Sequence, residues 1–187
     1  SPFSATVVDS ATIDEIGAQR LSDLFRLDSS LSDAYNAVGY WDFVTIRGFV
    51  VDQTYNYRRD GLPISGETFI PLENKERVEF LKGTSGILAG TSSPGGLVNY
   101  VVKRPTEASL RGLRLETSNY GGLLAHLELG DRFGEDRRFG YRLNAVAADV
   151  HSYVPDANGK RGLFALAMDW RATRDIDLTS CTRIMSA

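Results

Sequence analysis

After Pro105 the apolar positions recur every second residue. LRGLRLET (110–117) sets Leu113, Leu115 and Thr117 against Arg114 and Glu116. LLAHLELGDRF (123–133) sets Leu123, Ala125, Leu127 and Leu129 against His126 and Glu128, and FGYRLNAVAADV (139–150) sets Tyr141, Leu143, Ala145 and Ala147 against Arg142 and Asn144. GLFALAMDWRA (162–172) and DIDLTS (175–180) continue as further strands. A period of two is the mark of a strand with two different faces. The connections alternate as well: GEDRR (134–138) and ATRDI (172–176) are tight, while HSYVPDANGKR (151–161) is longer and polar. Short turns at one end and longer loops at the other fit an outer-membrane barrel. A soluble antiparallel sheet alternates in the same way. The polar side chains suit a barrel lumen, and solvent equally.

Before Pro105 the patterns are mixed. PFSATVVDS (2–10) reads as a short strand. SATIDEIGAQRLSDLFRL (10–27) reads as a helix capped by Ser10 or Thr12, with Ile13, Ile16, Leu21, Leu24 and Phe25 as its apolar stripe and Gly17 as a point of division. WDFVTIRGF (41–49) is strand-like, with Phe43, Thr45 and Arg47 on one face. RRDGLPI (58–64) carries an Asp-Gly turn between two strands. KERVEFLKG (75–83) alternates Val78, Phe80 and Lys82 against Arg77, Glu79 and Leu81, and LVNYVVKRP (97–105) is a strand stopped by Pro105. This half predicts a small α+β domain.

Composition narrows the field. The 187 residues are 42% hydrophobic and 24% charged, inside the globular range. A net charge of -3 leaves no basic footprint for nucleic acid. Cys181 is the single cysteine, which excludes an internal disulfide framework and a cysteine-rich metal site. No apolar run is long enough for a transmembrane helix, a fact silent on barrel strands.

The Gly-rich run KGTSGILAGTSSPGG (82–96) invites a phosphate-loop reading, but its lysine precedes the glycine and a strand follows Gly96. His126 and His151 stand on separate segments, and no HExxH or GxSxG occurs. The paired carboxylates Asp60 and Glu67, or Glu76 and Glu79, lie beside Lys75, Arg77 and Lys82, as in an ordinary charged surface. No catalytic constellation assembles, so an enzyme is not expected.

IRGF (46–49), RRDGLP (58–63), ERVEFLKGTSGILAG (76–90) and SSPGGLVNYVVKRP (92–105) together resemble the plug domain of TonB-dependent outer-membrane receptors, most closely those for ferric siderophores. PFSATVVDSATIDEIGAQRLSDLF (2–25) is similar to the start of that plug. The chain has Gly83-Thr84 and Leu88-Ala89-Gly90 where the family usually has Gly-Pro and Leu-Tyr-Gly. The resemblance implies an α+β plug over 1–105 and the opening antiparallel strands of a transmembrane β-barrel over 106–187. Because such barrels have 22 strands, it also implies a fragment or truncated product.

In that reading Gly83, Gly86, Gly90, Gly95 and Gly96 serve tight turning within the plug. A ferric siderophore is the ligand, and iron arrives as its chelate with no resident cofactor. Gln53, Tyr55, Tyr57, Arg58, Glu67 and Phe69 are the expected ligand contacts, joined by Tyr153 and Asp156. Arg47, Glu76, Arg77, Glu79 and Lys82 form a latch between plug and barrel. TonB is the energising partner through a TonB box not seen in this chain, and lipid of a Gram-negative outer membrane is the surrounding medium. Competing expectations are a receptor for a vitamin, haem or oligosaccharide, a soluble β-rich binding module, and a non-functional remnant.

Overall fold

The structure, a computed structural model, describes residues 4–35, 41–83, 94–118, 120–151, 158–173 and 176–186. The chain divides into two compact units, Ser1–Val102 and Lys103–Ala187.

The first unit opens with β1 (Ser4–Asp9), α1 (Ser10–Glu15) and a 3-10 turn (Leu21–Leu27). Asp9, not Ser10 or Thr12, caps α1: its carboxylate accepts from the Thr12 amide at 2.8 Å. Gly17, at φ 63, ends the helix, and the expected second helix tightens into the 3-10 turn. Three short strands follow, β2 (Leu31–Asp33), β3 (Val44–Ile46) and β4 (Phe49–Val50), paired in that order. The stretch expected as one strand over 41–49 therefore folds back on itself. Arg47 and Gly48, with φ of 53 and 82, make the mirror-image turn that matches strand twist. Arginine seldom adopts that conformation, so the sequence carries no clear signal for it.

A five-stranded sheet forms the body of the unit, in the order β1, β7 (Lys75–Lys82), β8 (Gly96–Val102), β5 (Tyr57–Arg59), β6 (Leu62–Ile64). The Asp60-Gly61 turn joins β5 to β6, with φ of 51 and 81. It also closes the end of β8: the Asp60 amide donates to the Tyr100 carbonyl at 2.9 Å, and the Asp60 carboxylate accepts from the Val102 amide at 3.1 Å. Val78, Phe80, Val98 and Tyr100 from the two central strands are buried against Ile13, Leu24, Val44, Ile46, Tyr57 and Leu72. Burial of that row is the main stabilising term of the unit.

Glycine is required where β7 meets β8. Gly96 has φ 120, and a Cβ there would run into the Leu81 carbonyl. Gly95 lies against Phe49, whose carbonyl oxygen would sit 3.0 Å from an added Cβ. Gly83, at φ 91, donates its amide to the Gly95 carbonyl at 3.1 Å. Gly86 and Gly90 lie outside the described residues.

The second unit is a meander in the order β9 (Leu110–Thr117), β10 (Leu123–Phe133), β11 (Phe139–Val150), β12 (Gly159–Thr173), β13 (Ile176–Ser186), each strand antiparallel to the next. It is an open sheet, and β13 runs six residues beyond its expected end at Ser180.

Two glycine substitutions test the packing argument. Gly61→Ala meets open space and strains only its backbone, an expected cost of about 1 kcal/mol. Gly96→Ala adds a clash with backbone and is expected to cost about 3 kcal/mol. Urea titration read by Trp41 fluorescence in a Trp170→Phe background measures both.

Candidate functional site

The expected ligand contacts concentrate in the loop between β4 and β5. The Val51 amide donates to the Val44 carbonyl at 3.0 Å, which starts the loop beside β3. The Asp52 carboxylate then accepts from the amides of Thr54 and Tyr55, each at 2.9 Å, and winds the chain into an Asx turn. Asn56 ends it, donating its side-chain amide to the Gly96 carbonyl at 2.8 Å. This rigid frame leaves the Tyr55 ring 60% exposed.

Gln53 points the other way and is buried. Its side-chain oxygen accepts from the Trp41 indole at 3.1 Å, and its main-chain carbonyl accepts from the Gly66 amide at 2.8 Å. Its side-chain nitrogen has no partner among the described residues. The Gly66 contact brings Ser65 and the exposed Glu67 beside the same loop. Arg58 and Phe69 are half-buried.

Tyr57 is a correction. It is 1% exposed, in the core, with its hydroxyl donating to the Asp42 carbonyl at 3.3 Å and accepting from the Val44 amide at 3.4 Å. Burial pushes its phenol well above the ordinary range. Strand alternation between Tyr55 and Tyr57 does not apply, because Tyr55 belongs to a turn. Tyr153 and Asp156 lie outside the described residues.

Sequence reading missed the aromatic neighbours of Gln53. Phe43 stacks edge-on with Tyr35 at 4.9 Å between centroids, and Trp41 lies 6.3 Å from Phe43. Asp42 fixes this segment to the 3-10 turn, accepting from Arg20 at 2.9 Å and from the Leu21 amide at 3.1 Å. Burial raises its carboxyl pKa against the pull of Arg20. The signal was WDF itself, which was read only as the start of a strand over 41–49 with Phe43 on one face.

Of the expected latch residues, Lys82 finds its partner within the first unit. Its ammonium meets the Asp28 carboxylate, which also receives the Thr6 hydroxyl and, at 2.9 Å, the Ser30 amide. Arg77 pairs with Glu79 at 2.6 Å, and Asn99 donates to the same carboxylate at 2.9 Å. Arg47 stands exposed at its turn, and Glu76 is half-buried.

Asp28 joins β1, β7 and the 3-10 turn through one carboxylate. Burial pushes its pKa up, but the bonds from Lys82, Thr6 and Ser30 outweigh it and hold the group well below its ordinary 3.8. A depressed folded pKa places this contribution to stability above pH 3.8, to be lost as pH falls toward the folded value. Asp28→Asn is expected to cost about 2 kcal/mol at pH 7 and to flatten the acid limb of the stability profile. Urea titrations between pH 7 and pH 3 check both.

The second unit resolves the question of its two faces. Leu113, Leu115, Leu123, Leu127, Phe164, Met168, Leu178 and Ile184 are exposed on one side. His126, Arg132, Arg142, Asn144 and Arg161 are buried on the other, among Leu124, Val146, Ala148, Leu163 and Ala165. Polar groups there satisfy one another: Glu128 takes Lys103 at 3.1 Å and Arg142 at 2.8 Å, His126 meets Asn144 at 3.0 Å, and Asp169 receives both terminal nitrogens of Arg132 at 2.9 and 2.7 Å. A soluble sheet buries its leucines; this one presents them outward. At the tight-turn end, Phe139 stacks on Phe133 at 5.6 Å and on Trp170 at 5.8 Å. Aromatics in that place border the apolar band of an outer-membrane barrel.

Comparison with known proteins decides the family. Residues 1–97, just over half of the chain, match the family described as TonB-dependent Receptor Plug Domain. The chain belongs to this family. The match falls within the first unit, and the family is one of receptors, not of enzymes. The ferrichrome outer membrane transporter/phage receptor of Escherichia coli K12 is 30% identical over 136 residues, covering 70% of this chain and 18% of that protein. The ferripyoverdine receptor of Pseudomonas aeruginosa is 25% identical over 190 residues, covering 96% of this chain and 22% of the other. Among solved structures, the ferric preacinetobactin receptor of Acinetobacter baumannii aligns at a TM-score of 0.83 and 27% identity, over 92% of this chain and 26% of that one. The chain spans about a fifth of the length of these curated relatives. As in the family, the plug and its sheet of strands belong to the outer membrane.

Proposed function

We propose that this receptor binds a ferric siderophore and imports it across the outer membrane, with energy relayed through TonB. The observation that carries the reading is a plug followed directly by a sheet whose apolar side faces outward and whose charged side is buried. Similarity to receptors named for ferrichrome and ferripyoverdine supports the siderophore as ligand class. Strands β9 and β13 each present one unpaired edge among the described residues, an arrangement that hydrocarbon does not tolerate. The five strands are accordingly read as the opening of a larger closed barrel.

A ferric siderophore is bulky, rich in oxygen and often anionic. The plug offers that chemistry the exposed Tyr55 ring with the half-buried Arg58 and Phe69, while Gln53 is buried behind the loop and the exposed Glu67 suits only a donor group of the chelate. The guanidinium donates to chelate oxygens, and the aromatic faces cover the apolar parts of its scaffold. The receptor makes no covalent change to its cargo. Arg47 and Glu76 remain the proposed contacts with the barrel wall.

Uptake of radioactive iron by cells with the gene product as sole receptor tests the proposal. A panel of hydroxamate, catecholate and mixed chelates is supplied with and without an uncoupler. Uptake of at least one chelate, abolished by the uncoupler, is expected; a flat response to every chelate overturns the reading. Tyr55→Ala is expected to weaken binding of the transported chelate about tenfold, or about 1.4 kcal/mol, in an equilibrium titration of outer-membrane preparations.

A further inference from the structure

We infer that residues 103–109 are a fixed strap, docked on the covered face of the second unit's sheet and remaining there while the receptor works. The Lys-Arg-Pro run that ends the plug motifs otherwise has no assigned purpose. In the structure β8 stops at Val102, before those three residues, and from Lys103 onward the chain belongs to the second unit.

Nearly every residue of the segment is held. The Lys103 side chain is 3% exposed and reaches Glu128 on β10, which also binds Arg142 on β11. Arg142 in turn donates to the Arg104 carbonyl at 3.0 Å, so one arginine grips both the strap's ion pair and its backbone. Pro105 is buried over Gly140, where an added Cβ would lie 2.7 Å from the proline Cβ. Glycine at 140 leaves room both for the proline ring and for the Asp169 carboxylate, whose Oδ1 would lie 2.5 Å from the same Cβ. The Glu107 carboxylate meets Arg171 on β12 and, at 3.4 Å, Arg132 on β10, while its carbonyl accepts from Arg137 at 2.9 Å. Ser109 donates to Asp131 at 2.8 Å. The hydrogen bond from Arg171, aided by Arg132 and Arg137, holds the Glu107 carboxyl below its ordinary range.

These contacts spread over three strands, so no single break frees the segment. Lifting it would also pull the Lys103 ammonium away from Glu128, the costly way to open a buried pair. Movement of the plug during import, which rests on the function proposed above, must therefore end at Val102.

A cross-link tests this in outer-membrane preparations of the gene product carrying Cys181→Ser. Pro105→Cys with Gly140→Cys places two thiols where a shift of about 1 Å reaches disulfide geometry. Mild oxidation is expected to close the bond in most molecules, and iron uptake by cells bearing it is expected to stay within twofold of the reduced state. A cross-link that fails to form, or one that cuts uptake tenfold and is reversed by reductant, overturns the strap. A spin label at Ala108 gives a reading free of transport: slow motion is expected in the parent and fast motion in Gly140→Val, and fast motion in the parent overturns the inference. If the parent imports no ferric chelate, the transport reading falls, and cross-link yield and spin label alone decide on the strap.

Discussion

Which medium touches which face of the second sheet is the constraint on which the other features depend. Burying apolar surface is worth about 25 cal/mol per Å² in water, so exposing a row such as Leu113, Leu115, Phe164 and Ile184 would be strongly unfavourable there. In hydrocarbon the penalty vanishes and the requirement changes: backbone hydrogen bonds must be complete, and charges must turn inward. The antiparallel meander meets the first demand between neighbouring strands, and the ladder of Glu128, Arg142, Asn144 and Asp169 meets the second.

The plug obeys the opposite solvent logic. Its apolar row runs through the middle of the sheet, and at strand ends and loops single carboxylates tie several segments together. Asp28 holds β1, β7 and the 3-10 turn; Asp60 holds the end of β8; Asp52 winds the loop between β4 and β5. Short strands of two or three residues have little pairing of their own, so these side-chain closures stand in for length.

Much of this was legible in the sequence, for a physical reason. Strands β9 to β13 repeat with period two, and β7 alternates Val78 and Phe80 with Arg77 and Glu79, so face and element type emerged together. The Asp60-Gly61 turn announced itself because both residues tolerate positive φ. Arg47-Gly48 did not, and a hairpin was read as one strand. Which side of the barrel-like sheet was buried could not emerge from alternation, because period two is the same in water and in lipid. At the candidate site, composition pointed to the loop, where Tyr55 is exposed, but not to the turn set by Asp52, which gives its neighbours different surroundings. Gln53 was thereby buried against Trp41, and Tyr57 went to the core.

Strand β12 has fifteen residues, whereas β9 has eight. At roughly 3.4 Å per residue and a tilt of about 40°, β12 rises about 39 Å along the membrane normal, against an apolar band of about 25 Å. Trp170 sits near its tight-turn end, level with Phe139, and from that level the strand rises about 29 Å to the Gly159 end, where Lys160 and Arg161 stand. That is only about 4 Å more than the apolar band, so the exposed Lys160 stands in the headgroup layer, where its ammonium meets water and lipid phosphate in place of hydrocarbon.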